Sequence, residues 1–201
     1  MKSGAVGNDL SVELLQNGFL HRSGLITVIV NKVYFLQSGQ TGRGCHIGAD
    51  RIAVLGDVMY HGPRNPFPKE YDPKTVAEIL NENRERIVAV RGNCDSEVDQ
   101  MLIEYPMMGD YAWITLPERS FFLTHGHVFS PEDHPPLPAG TVLAFGHIHT
   151  PVAEKDGDVY YFNPGSASLP KNPYKPSWGR YSGGLLEIVA LDGEIIKSME
   201  L

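Results

Sequence analysis

A chain of 201 residues, 42% apolar and 20% charged, is long enough for one domain with a substantial core and short for two. Its formal net charge of −7 excludes a general nucleic-acid binder and argues against docking on anionic membranes, while leaving room for a local basic pocket around a phosphate. Two cysteines (Cys45 and Cys94) make no disulfide framework and point to a reducing, cytoplasmic setting; the longest strongly apolar run, Leu25 to Val30, is far short of a membrane span, and the first ten residues lack the apolar core of a signal peptide.

Along the chain, "LITVIV", Asn31-Lys32 and "VYFLQ" read as a hairpin with an Asn-Lys turn. The stretch "GQTGRGCH" then places Gly39 and Gly44 at the separation of a phosphate-binding loop. Cys45 and His46 stand where that loop needs a lysine for the β/γ-phosphates and a hydroxyl for Mg²⁺, so the match fails. After residue 50 the punctuation becomes regular. "RIAVLGD", "RIVAVRGN", "SFFLTHGH", "TVLAFGHIH" and "DVYYFNPGS" are short apolar runs that each end in small or polar residues. Their length and their Val, Ile and Phe content predict buried strands.

Between the first two runs Asp72 is a candidate N-cap, Pro73 suits the first helical turn, and Val76, Ile79 and Leu80 share one face. Strand, helix, strand implies a parallel pair with a crossover. Segments near 159–163, 183–190 and 193–198 follow one another by turns, as antiparallel strands do. The sum is a layered α/β protein with two sheets and its polar residues at the C-terminal ends of strands, where open α/β sheets build their sites.

His147 and His149 in "FGHIHTP" lie one residue apart, so on extended chain both side chains point the same way, Cα atoms roughly 7 Å apart. One such pair alone is more often a core histidine beside a surface one than a pair of metal ligands. His125-Gly126-His127 repeats the arrangement at a second strand end, which makes coincidence a weaker explanation. Asp57 after Gly56 is either a cap or a carboxylate able to bridge two cations. Asn93 in "RGNCD" is either a turn residue or a carbonyl ligand for a hard divalent ion. An Asp, Asn and His donor set suits Mn, Fe or Zn better than Ca or Mg.

"LGDVMYHGPRN", "VRGNCDSEVD", "THGH", "GHIHTP" and "FNPGS", in this order over about residues 49–195, resemble the calcineurin-like metallophosphoesterases, in particular their bacterial phosphodiesterase branch. The resemblance implies an αββα sandwich of two sheets and a phosphodiesterase acting through a metal-activated water at a dinuclear centre. It implies divalent metal, foremost manganese, with Fe, Zn, Ni and Co as alternatives. Asp57 would bridge the two ions, Asn93, His125 and His147 would complete one site, and His149 would belong to the other. His127 would be a supporting loop residue, and His61 and Arg64 would face the substrate phosphate. Cys94 stands where many relatives carry histidine as general acid. A thiol is a weak proton donor near neutral pH, so small phosphodiesters with activated or aryl leaving groups fit best. Relatives of this kind form dimers or tetramers.

The family's opening strand ends in Asp-x-His, and that pair is missing. In "VYFLQSGQTGRG" the two positions fall on Gly39 and Thr41, and too little chain separates Gly39 from Asp57 for a full crossover. Asp9 and His46 are candidate replacements. Residues 1–201 thus read as one domain whose segment 1–48 is divergent or aberrant, with two metal ions or only one. The competing reading is a catalytically impaired protein-binding scaffold on the same fold, against which stands the joint retention of Asp57, Asn93, His125, His147 and His149.

Overall fold

The computed structural model describes residues 26–29 as backbone, together with 51–59, 63 and 71–201. Among these, β1 (Ile26–Ile29), β2 (Arg51–Val54) and β3 (Ile87–Ala89) run parallel. β9 (Ser177–Ser182), β10 (Leu185–Ala190) and β11 (Ile195–Glu200) extend that sheet as an antiparallel meander, in the order β11-β10-β9-β1-β2-β3. The second sheet holds β4 (Tyr111–Thr115), β5 (Ser120–Thr124), β6 (Val142–Ala144), β7 (Pro151–Asp156) and β8 (Val159–Pro164), in the order β4-β5-β6-β8-β7. Its central strands β5, β6 and β8 are parallel and its outer pairs antiparallel. This is the two-sheet sandwich expected from the sequence.

Strand alternation sorts the apolar side chains into layers. Ala53 and Leu55 from the first sheet meet Phe121, Leu123, Val142, Ala144 and Phe162 from the second, with Tyr181, Leu186 and Ile188 closing the space between them. Ile52 and Val54 point the other way, toward helix α1 (Pro73–Glu82), whose Val76, Ala77 and Leu80 cover them. Asp72 caps that helix as expected, accepting from the Thr75 backbone N–H (3.1 Å) and hydroxyl (2.7 Å). On the outer face of the five-stranded sheet Phe122, Leu143, Phe145 and Tyr161 are covered, among the described residues, by the irregular segment carrying Phe129 and Leu137.

Where β9 crosses Phe162 the sheets come so close that a Cβ on Gly179 would lie 2.6 Å from the ring. Gly179→Ala is therefore expected to cost about 1–3 kcal/mol through overpacking, read from the midpoint of a urea transition.

The N-terminal run corrects the hairpin expectation. Ile26–Ile29 pair in parallel with β2 (Val28 opposite Ala53) and antiparallel with β9 (Val28 opposite Gly179). A lone two-stranded hairpin is marginal in water, whereas two sheet neighbours satisfy the backbone on both sides. This run is thus the first parallel strand. Counted from Ile29, the connection to β2 is long enough for a crossover, which removes the spacing objection raised from Gly39. Residues 30–50, with Gly39, Thr41, Cys45 and His46, lie outside the described residues, as does Asp9.

Candidate metal centre

The parallel strands of both sheets end on one side of the sandwich, and four side chains converge there. Asp57 follows β2, Asn93 follows β3, His125 follows β5 and His147 follows β6. His125 is fully buried. Its Nδ1–H donates to the Leu55 carbonyl (2.6 Å), so in the neutral ring Nε2 presents a lone pair. That lone pair faces Asn93 Oδ1 at 3.1 Å and Asp57 Oδ2 at 3.5 Å. Asn93 Oδ1 also lies 2.9 Å from His147 Nδ1. In that neutral tautomer a ring nitrogen, an amide oxygen and a carboxylate oxygen converge as three acceptors. A cation resolves that clustering of acceptors, so the donor set fits the divalent ion the fold family implies. Asp57, His125 and His147 do not close on one point by themselves among the described residues; Asn93 Oδ1 links the two imidazoles, and Asp57 reaches the cluster through His125.

The backbone is arranged to hold these groups. Asp57 (φ 53°), His147 (φ 63°) and His149 (φ 58°) are the non-glycine residues of positive φ among the described residues. Such conformations cost of order 1 kcal/mol or more and cluster at functional sites. The loops after β2 and β3 pass so closely that a side chain at Gly56 would overlap the Gly92 backbone, and one at Gly92 would overlap Asp57.

Asp95 ties the same loops together. Its carboxylate accepts from the N–H groups of Asp57 (2.7 Å), Val58 (2.8 Å) and Gly92 (2.8 Å). Burial pushes its proton affinity up and the Asp57 charge adds to this, against those donors. Sequence reasoning missed Asp95. In "RGNCD" it reads as one more turn aspartate, and its three partners come from two separate loops.

His149 is buried, and its Nδ1–H donates to the Leu169 carbonyl (2.8 Å), leaving Nε2 bare. Burial holds His147 and His149 below the ordinary imidazole value; the Lys171 charge acts in the same direction on both and Asp57 opposes it. Both rings are therefore neutral near pH 7, the state a ligand needs. His127 lies beside two of these rings, 5.2 Å from that of His125 and 6.2 Å from that of His147 between centroids. Cys94 donates its backbone N–H to Asp57 Oδ1 (2.9 Å), and its Sγ accepts from Asn93 Nδ2 (3.2 Å). Asn163 of "FNPGS" joins strand ends, with Nδ2 donating to the Gly146 carbonyl (2.7 Å) and Oδ1 accepting from Gly165 N–H (3.0 Å). His61 and Arg64 lie outside the described residues.

A two-sheet sandwich with Asp, Asn and His donors gathered at its strand ends defines a metallophosphoesterase scaffold. The chain belongs to the calcineurin-like phosphoesterase superfamily, whose domain matches residues 41–182. It is 48% identical over 149 residues to phosphodiesterase YfcE of Escherichia coli K12, covering 74% of this chain and 81% of that protein. The solved structure of YfcE, described as a phosphoesterase from E. coli, superposes with a TM-score of 0.79 at 39% identity, covering 88% of this chain and 98% of the other. Vacuolar protein sorting 29 from Cryptosporidium parvum shares the fold, with a TM-score of 0.55 at 18% identity over 88% of this chain and 98% of its own.

Proposed function

We propose that this chain is a metal-dependent phosphodiesterase that hydrolyses small phosphodiesters with good leaving groups. The observation that carries the reading is the run of contacts from Asp57 Oδ2 through His125 Nε2 and Asn93 Oδ1 to His147 Nδ1. A divalent ion held by these residues, manganese first, supplies Lewis acidity toward a phosphoryl oxygen and a water. Asp57 contributes the negative charge that retains such an ion, and its place between the loops suits it to serve two. His149, with Nδ1 engaged by Leu169, offers Nε2 to the second position. The Leu55 and Leu169 carbonyls fix the ring orientations and tautomers, which raises imidazole basicity.

Cys94 lies beside Asn93, where it supports leaving-group departure only weakly, and His61 and Arg64 are assigned to the substrate phosphate. The missing Asp-x-His leaves one or two ions as alternatives. A single domain spanning 1–201, a cytoplasmic location and a dimer or tetramer belong to the same proposal. No helix among the described residues is long and apolar enough to cross a membrane.

Elemental analysis is expected to give tightly bound transition metal, and chelation should abolish hydrolysis of bis(p-nitrophenyl) phosphate until Mn²⁺ is restored. Two atoms per chain would mean that other residues replace the lost pair, and one that the first position is gone. A metal-free protein inert with added Mn²⁺ would overturn the reading.

A further inference from the structure

The loop after β8 is laced to the metal centre by consecutive hydrogen bonds. Leu169 N–H donates to Ser166 Oγ (3.0 Å), His149 Nδ1–H donates to the Leu169 carbonyl (2.8 Å), and Lys171 N–H donates to the His149 carbonyl (3.1 Å). Lys171 is thereby fixed next to His149, with an exposed side chain. Lys171, like Arg51, Arg119, Lys155 and Lys197, has no carboxylate partner among the described residues, and of these five it is the one whose backbone bonds to a candidate metal ligand. An unpaired ammonium beside a cluster of cation ligands opposes metal binding, a local conflict of the kind that marks functional sites. An anion arriving at the metal centre relieves it. In a chain of net charge −7, a substrate anion also needs a local positive field on its approach.

We propose that Lys171 is a substrate-binding residue that contacts a non-bridging oxygen of the phosphodiester at this centre. The assignment rests on the phosphodiesterase reading and adds a residue to it. Lys171 forms a charge-assisted contact present in both the bound substrate and the transition state, so it acts on KM more than on kcat.

The test uses full-length Lys171→Gln and Lys171→Arg proteins loaded with Mn²⁺, bis(p-nitrophenyl) phosphate as substrate and inorganic phosphate as probe. Lys171→Gln is expected to raise KM and the phosphate dissociation constant, by calorimetry, each about tenfold. Its kcat should stay within about twofold, with Mn²⁺ affinity unchanged or higher, and the arginine variant should recover most of the loss. Unchanged KM and phosphate affinity in Lys171→Gln would overturn the assignment, as would a loss confined to kcat or to bound metal. A wild-type protein that binds neither metal nor phosphate would instead overturn the phosphodiesterase reading itself.

Discussion

Asp57→Asn is expected to lower hydrolysis of bis(p-nitrophenyl) phosphate at least about 10³-fold and to strip the protein of bound metal, while leaving it folded. The substitution preserves shape, so the oxygen accepting from Cys94 N–H (2.9 Å) can be kept. What changes is the group facing His125 Nε2, 3.5 Å away in the native protein. An amide N–H there donates to the imidazole lone pair and fills, with a neutral hydrogen bond, the space between acceptors that otherwise calls for a cation. The site loses its negative charge and its cluster of acceptors together. Elemental analysis and steady-state rates check the two halves separately, and retention of more than a tenth of the activity would contradict the role given to Asp57.

The second large effect is expected at Asp95, which touches no ligand directly. Asp95→Ala orphans the backbone N–H groups of Asp57, Val58 and Gly92 in a buried place. Each buried donor left without a partner costs about 1–3 kcal/mol, partly recovered where water enters. A net loss of about 3 kcal/mol or more is expected, a fall of roughly 10 °C in Tm for a chain of this size. Metal affinity should fall with it, because the loops that hold Asp57 and Asn93 are no longer joined. Thermal unfolding with and without added Mn²⁺ measures both. Asp95→Asn, which keeps an acceptor oxygen but turns an N–H toward one of the donors, should fall between wild type and alanine.

The contrast between Asp57 and Asp95 shows how far the sequence could be read. Asp57, Asn93, His125 and His147 were legible because each closes a short apolar run, and strand ends in this kind of sheet face one crevice. Helix α1 was legible from its cap and its apolar face. Asp95 was not, since its work depends on two loops meeting in space. Nor were the positive φ angles at Asp57, His147 and His149, which local preference disfavours and only the surrounding packing imposes. Strands β4 and β7 escaped notice because they are sheet edges; "YAWIT" and "PVAEKD" are half exposed and lack a strong apolar signature. The N-terminal strand was misread because its partners lie far along the chain, one of them in β9, while the Asn-Lys turn signal was local.

The position of β1 between β2 and β9 makes it the keystone of the six-stranded sheet. Its backbone is paired along both flanks, in parallel with β2 and antiparallel with β9. This pairing is what ties the parallel half of the sheet to its antiparallel meander, so a break at this one strand would part the two halves.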